Sequence, residues 1–197
     1  MTDYPPAHWT LSQWLAVKTA SARDSIVACI DTYQPTISDT RCQQLLFAHL
    51  QFFSLVAPIY DDTNLKRMFS SFLTVQEIAS FKRQLARDVE QQAPVALNVR
   101  RIPGGLLPRL GWLYATEFVD RGLTRLLTGT SAEYLNVDID PQASHMIWQA
   151  FRDQLDRLDL SECDEEKLAK SASSALVIYS GCFNNAFETP QLRTRRD

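Results

Sequence analysis

Apolar side chains recur at three- and four-residue steps along most of this chain, most densely between residues 110 and 127. That spacing is typical of a buried amphipathic helix. Pro108 stands where a first-turn proline belongs, and Gly129 follows the last apolar residues as a candidate C-cap. The helix contains Gly111 and Gly122, each of which costs about 1 kcal/mol relative to alanine. Glycines inside a helix let another helix or a flat ligand approach the backbone, and helix packing is the simpler explanation.

Six further helices are predicted by the same periodicity and by capping signals. Thr10 with Gln13 and Thr74 with Glu77 have the spacing of capping boxes. Ser161 precedes a run of acidic residues that suits the positive end of a helix dipole. The predicted helices cover about residues 11–33, 39–60, 63–69, 75–92, 141–158 and 162–187.

Two segments interrupt the helical pattern. Residues 93–108 hold three prolines and a Gly-Gly pair, which predicts one long loop. Residues 128–141 form a polar connector, within which 134–137 have a weak extended pattern. With no internal repeat, the chain is expected to form one all-α domain of about seven to eight helices. Its expected parts are an N-terminal extension (1–9), the helical domain (10–188) and a flexible tail (189–197).

Composition excludes several classes of protein. A chain of 197 residues that is 45% hydrophobic has enough apolar material for the core of one domain. Its net charge of −3 argues against a surface for nucleic acid or anionic membranes. No apolar run is long enough to span a bilayer, and residues 1–6 lack the pattern of a secretory signal. We therefore expect a cytoplasmic monomer or homodimer with no nucleic-acid or membrane partner.

The residue types that usually carry chemistry form no metal or nucleophile motif. The four cysteines contain no Cys-x-x-Cys pair, so we expect reduced thiols, with Cys182 buried and inert. The three histidines come without a Glu-x-x-His pattern, which excludes the usual helical di-iron site. No Gly-rich phosphate loop, nucleophile elbow or zinc spacing is present. We expect no metal site.

The glycine-bearing helix does carry a recognisable motif. Gly111-Trp112-Leu113-Tyr114-Ala115-Thr116-Glu117, followed by Gly122, resembles the distal helix of the bacterial, biliverdin-producing heme oxygenase family. In that family the pattern continues Glu-Gly-Ser, and the glycines let the backbone lie against the heme face. This sequence has Phe118 at the first of those glycines and Val119 in the serine place. The resemblance thus assigns distal-helix positions to Glu117, Phe118, Val119, Asp120 and Gly122.

The N-terminal helix resembles the same family. Lys18-Thr19-Ala20-Ser21-Ala22-Arg23-Asp24-Ser25 is similar to the family's Thr-Ala-x-x-His-Asp-Ser, and Trp148-x-x-Phe151 and Ala175-x-x-x-Tyr179 follow in family order. The resemblance covers most of the chain, least well at residues 88–107, and implies the family's helical fold. It also implies that Arg23 occupies the place of the proximal histidine. A guanidinium stays protonated and offers donors only, so it cannot ligate heme iron.

Further site residues follow from the resemblance. Lys18, Tyr114 and Tyr179 stand at or near places where the family contacts the heme propionates, although both tyrosines can equally be core residues with a local hydroxyl partner. A phenyl ring at Phe118 brings on the order of 150 Å² of surface to a place where the family leaves bare backbone.

Arg23 itself requires a partner if it is buried, because an unpaired charge in an apolar slot is costly. We expect Asp120 or Glu117 to pair with it across the slot. The alternative is an Arg23 side chain that extends to solvent at the rim of the slot.

These substitutions favour a divergent heme-oxygenase-like protein that has lost conventional heme degradation, needs no cofactor, and binds a tetrapyrrole, another ligand or a protein partner. The alternative is an active heme oxygenase that cleaves heme to biliverdin, carbon monoxide and iron through a substitute ligand. Whether the chain is an enzyme stays open at this level.

Of the three histidines, His49 is predicted to be a hydrogen-bonded core or boundary residue, and His8 and His145 to lie at the surface.

Overall fold

The computed structural model describes residues 9–33, 39–60, 62–69, 102, 104–128 and 141–188; for part of these, including residues 120–128, it describes the backbone alone. The described residues contain seven helices and no strand. The helices are α1 (Leu11–Lys18), α2 (Ala20–Tyr33), α3 (Asp39–Tyr60), α4 (Thr63–Met68), α5 (Leu106–Thr128), α6 (Pro141–Leu155) and α7 (Glu162–Glu188). The all-α prediction is confirmed. The predicted helix at 75–92, the extended segment at 134–137 and both chain ends lie outside the described residues.

The capping signals of the sequence are present where they can be observed. Thr10 accepts a hydrogen bond from the backbone N–H of Gln13, whose side chain accepts one from the backbone of Thr10, so the predicted capping box begins α1. Ser161 bonds the backbone N–H and the carboxylate of Asp164 at the start of α7. Asp62 caps α4 and also forms an ion pair with Arg109 in the first turn of α5.

The prediction of a single helix over residues 11–33 is wrong, because the helix breaks at Thr19. Its backbone has φ −99° and ψ 3°, and its buried hydroxyl donates back to the Leu15 carbonyl at 2.7 Å. Such back-bonding by threonine competes with the helical ladder and bends helices. In this segment the ladder resumes with the bond from Arg23 N to the Thr19 carbonyl, and no backbone N–H bonds to the Ala16 carbonyl.

Helix α5 begins earlier than the sequence indicates. The long loop was expected to continue to Pro108, but the helix already starts at Leu106, after Gly105 adopts a positive φ of 102°. Proline is tolerated there because the first-turn N–H groups have no partner within the helix. Helix α6 ends at Leu155, short of the predicted residue 158.

Close packing of α5 against α7 explains Gly111. A Cβ atom at this position would lie 2.5 Å from the Leu168 carbonyl oxygen and 2.8 Å from the Ala172 nitrogen. The hydroxyl of Ser171 also donates to the Pro108 carbonyl at 2.8 Å, which fixes the two helices at their point of contact. At Gly111 it is therefore another helix, α7, that comes close to the backbone of α5.

The core lies where α3, α5 and α7 meet. The buried ring of Trp112 stacks on Phe52, with centroids 6.0 Å apart, and Phe52 meets the edge of Tyr179 at 5.2 Å. Each of the three helices thus contributes one ring to this aromatic cluster.

None of the described helices has both the length and the apolar character needed to cross a bilayer.

Candidate functional site

Arg23 lies in the first turn of α2 and reaches back toward the end of α1. Its Nη1 donates to the Ala16 carbonyl at 3.2 Å. That carbonyl is available because the helical ladder is interrupted at Thr19. A cation at the C-terminal carbonyls of a helix is also favoured by the helix dipole. The break in the helix thus gives Arg23 a local structural role at the junction of α1 and α2.

The guanidinium of Arg23 also lies over the ring of Phe118 on α5. The distance from Cζ to the ring centroid is 4.4 Å, and both side chains are partly buried. A cation–π contact of this kind contributes about 0.5–2 kcal/mol, depending on how far it is removed from water. The two side chains that the resemblance assigns to opposite faces of a heme slot are therefore in contact with each other.

Tyr114, one helical turn before Phe118, is the third member of this group. It is 1% exposed, and its ring centroid lies 5.6 Å from that of Trp148. Burial raises the pKa of the Tyr114 hydroxyl, while the charge of Arg23, a hydrogen bond with Thr19 and the charge of Arg152 act in the opposite direction. The charges of two guanidinium groups therefore act on this buried phenol.

Arg152 approaches this group from α6. Its Nε donates to the hydroxyl of Ser12 at 3.3 Å. The carboxylate of Asp156 accepts from the backbone N–H of Ser12 at 2.6 Å and from its hydroxyl at 2.9 Å. This tie holds α1 against the end of α6 and so places Arg152 near Tyr114. We call the side chains of Thr19, Arg23, Tyr114, Phe118 and Arg152 the Arg23 site.

The acidic partner expected for Arg23 is not Glu117. That carboxylate is buried, and its Oε1 accepts a hydrogen bond from the hydroxyl of Tyr60 at 3.1 Å. No ion pair joins Arg23 or Arg152 to a carboxylate among the side chains that the structure describes. The side chain of Asp120 lies outside that description, so its pairing with Arg23 stays a prediction. Val119 is buried; the surroundings of Gly122 are also outside the described residues.

The other two predicted contacts to propionates have partners of their own. Lys18 forms a surface ion pair with Glu166 of α7, 2.9 Å from Nζ to Oε1, and its Nζ lies 5.3 Å from the centroid of the Trp14 ring. Tyr179 is buried, with its hydroxyl 3.0 Å from Nδ1 of His49. Of the three, Tyr114 alone belongs to the Arg23 site, and a propionate role for any of them stays a prediction.

Neither of the two described histidines lies at the Arg23 site. His49 is completely buried, packs on the Phe53 ring at 4.6 Å between centroids, and has its pKa lowered to about 3 by burial. It is the hydrogen-bonded core histidine that the sequence predicted. His145 is exposed, as expected, and His8 lies outside the described residues.

The donor set decides whether the site fits an axially ligated heme. Arg23 has no lone pair to offer iron, and Phe118 lies against it. Among the described residues, no three His, Cys, Asp or Glu side chains form a cluster that could hold a metal ion. The described residues of the site therefore do not fit a heme that is held through an axial protein ligand.

Two members of the Arg23 site were missed at the level of sequence. Thr19 was included in the motif without a role, because nothing in its neighbours indicates back-bonding to Leu15. Arg152 follows the Trp148-x-x-Phe151 motif directly, but the sequence does not show that its helix packs on α5 and is tied to Ser12 of α1.

One solved structure supports the fold assignment. The chain is similar to a heme oxygenase from Neisseria meningitidis whose crystal structures were determined with NO and CO bound. The TM-score is 0.69 at 21% sequence identity, and the match covers 90% of this chain and 92% of the other. At this identity the likeness shows the fold, and the protein is an all-α protein of heme-oxygenase-like fold. No protein-family model matches the chain. No curated protein matches it either.

Proposed function

We propose that this protein is a divergent heme-oxygenase-like protein that does not degrade heme by the conventional route. It acts instead as a binding or interaction protein for a tetrapyrrole, another ligand or a protein partner, as a cytoplasmic monomer or homodimer and without a bound cofactor. The observation that carries the proposal is the contact of Arg23 with Phe118, 4.4 Å from the guanidinium carbon to the ring centroid.

Two physical reasons support this conclusion. A histidine nitrogen at the position of Arg23 would be the main protein control on the chemistry of heme iron, and a permanently protonated guanidinium cannot supply it. A heme between α2 and α5 would also have to separate Arg23 from Phe118. Arg23 and Phe118 therefore alter both faces of the heme slot that the resemblance predicts.

The alternative is an active heme oxygenase with a substitute ligand, which the fold likeness favours. Among the described residues His49 is the one buried histidine. Its Nδ1 faces the Tyr179 hydroxyl in the core between α3 and α7, so recruiting it requires repacking that core.

A hemin titration followed by absorbance distinguishes the two functions. We expect the wild-type protein to give no sharp Soret band, and the variant R23H/F118G to gain one because it restores a nitrogen ligand and clears the distal face. R157H serves as the matched control, since Arg157 is an exposed arginine two residues after the end of α6. A sharp wild-type band that R23Q leaves unchanged, with heme turnover under reductant, contradicts the proposal.

A further inference from the structure

Helix α1 is firmly attached to the rest of the fold. Half of its eight residues are buried, namely Leu11, Ser12, Trp14 and Leu15. Two hydrogen bonds from Ser12 to Asp156 tie it to α6, and the ion pair of Lys18 with Glu166 connects it to α7. Apolar burial and buried hydrogen bonds both stabilise this attachment, so α1 belongs to the fixed body of the fold.

Helix α2 has much less of its surface in the core. Its side chains are described from residue 20 to 29, and of these Ile26 alone is buried, while Ala22 and Cys29 pack half-buried against the core. The exposed side chains of this stretch are Ser21, Asp24, Ser25, Val27 and Ala28. A segment with few buried apolar contacts opens at a lower free energy than the core around it.

Thr19 marks the limit between the two helices. Its side chain is 1% exposed, donates to the Leu15 carbonyl at 2.7 Å and makes a hydrogen bond with Tyr114 of α5. Thr19 is therefore attached to the same body as α1. The helical ladder resumes after it, with the backbone bond from Arg23 to the Thr19 carbonyl. Hinges of moving segments are usually such residues at the ends of helices.

The contacts of Arg23 connect α2 to this body in two directions. Toward α1, its Nη1 donates to the Ala16 carbonyl at 3.2 Å. Toward α5, its guanidinium carbon lies 4.4 Å from the centre of the Phe118 ring, and its side chain makes a hydrogen bond with Tyr114. One half-buried side chain therefore holds the first turn of α2 against both neighbouring helices.

We propose that α2 is a lid that opens as one unit beyond Thr19, with Arg23 as the latch that holds it closed against α5. Opening breaks the contacts of Arg23 with Phe118, Tyr114 and the Ala16 carbonyl, while α1 and Thr19 stay in place. The face of α5 that carries Phe118 then becomes accessible from the side of α2. This device goes beyond the function proposed above and holds whichever function the slot serves.

Native-state hydrogen exchange, followed residue by residue by NMR at urea concentrations below the unfolding transition, tests the proposal. Amides that are exposed in one opening event share one free energy of exchange. We expect the lid amides, from Arg23 to Cys29, to share one value and to open at least about tenfold more often than those from Trp14 to Thr19. R23Q should raise the exchange of the lid amides at least about threefold, because it loses the contact with Phe118. R157Q is the control and should have no effect.

A disulfide that closes the lid provides a second comparison within one variant. The Sγ atom of Cys29 lies 3.9 Å from Oδ1 of Asn184 on α7, so N184C brings a second thiol next to Cys29. After oxidation by glutathione disulfide, we expect the lid amides of N184C to exchange at least about tenfold more slowly than in the same variant kept reduced. The wild-type protein, treated in the same two ways, should show no such difference.

Three results overturn the proposal. The first is exchange that decreases steadily from Cys29 to an Arg23 amide as protected as those of α1, because this pattern indicates fraying of the helix end. The second is opening of α1 together with α2. The third is equal exchange of the lid amides in oxidised and reduced N184C once mass spectrometry confirms the disulfide. If the disulfide does not form, or if R23Q does not fold, the exchange pattern of the wild-type protein decides the outcome.

Discussion

The guanidinium carbon of Arg23 on α2 lies 4.4 Å from the centre of the Phe118 ring on α5, so these two side chains are in direct contact. The contact depends on the break at Thr19, because the same guanidinium is held by the Ala16 carbonyl that the break exposes. Arg23 is therefore held both by the local helix geometry and by its contact with α5.

This contact should be measurable as a coupling energy. In a double-mutant cycle of R23Q and F118L, we expect a coupling of about 0.5–1 kcal/mol in the free energy of urea unfolding, because both side chains are partly exposed. The cycle of R157Q with F118L is the control and should be additive. Additivity in the Arg23 cycle shows that the contact contributes nothing.

The packing of α5 on α7 predicts that alanine substitutions at two glycines change the stability of the protein in opposite directions. G111A should destabilise the protein by about 1–3 kcal/mol, because its Cβ overlaps the Leu168 carbonyl and the Ala172 nitrogen. G181A, inside α7 with nothing within 4 Å of the added carbon, should be neutral or stabilising by up to about 1 kcal/mol. Urea unfolding measures both. A G111A protein as stable as the wild type contradicts the close approach of the two helices.

The buried His49 predicts a loss of stability in mild acid. Its pKa is about 3 in the folded protein and near 6.5 in an exposed chain, so below about pH 6.5 the unfolded state binds the proton more readily. This contribution is complete above pH 6.5 and decreases as the pH falls toward 3, with a slope of at most about 1.4 kcal/mol per pH unit.

Urea unfolding at about pH 6.5 and about pH 5, where most carboxyl groups are still ionised, should show the effect. H49Q should reduce the difference between the two pH values, since glutamine does not titrate. An equal pH dependence in the wild type and H49Q shows that His49 is not a buried neutral group.

The thiols should react in the order of their exposure. Cys163 is exposed, burial raises the pKa of the half-buried Cys29, and burial raises that of Cys182 to about 12. In a C42S background, because the Cys42 side chain is outside the described residues, we expect Cys163 to react first with a thiol reagent. Cys182 should react only on unfolding. A fast phase that persists in C42S/C163S contradicts this order.

The fold was predictable to a large extent because its signals are local. The capping box at Thr10, the acidic start of α7 after Ser161 and the apolar spacing of α5 each depend on neighbours within a few residues. The break at Thr19 was not predictable, because threonine is compatible with a helix and its bond to Leu15 depends on burial. The early start of α5 depends on the conformation of Gly105, which composition does not specify.

The site was predictable only in part, for a related reason. The chemistry of Arg23 follows from its identity, since no sequence context gives a guanidinium a lone pair. Its surroundings do not, because Phe118 and Arg152 come from distant parts of the chain and are brought to the Arg23 site by the packing of α5 and α6. Glu117 was expected to pair with Arg23, but its carboxylate lies in the core, where it accepts a hydrogen bond from the hydroxyl of Tyr60 on α3.

The most direct test of the central claim is product formation from hemin by the wild-type protein, with dioxygen and a reductant, compared with free hemin and with R23Q. If Arg23 and Phe118 have replaced the iron-binding chemistry, biliverdin should not rise above the free-hemin control in either protein. Biliverdin that forms in proportion to wild-type protein, and equally with R23Q, would mean that iron is held elsewhere and that the account is wrong.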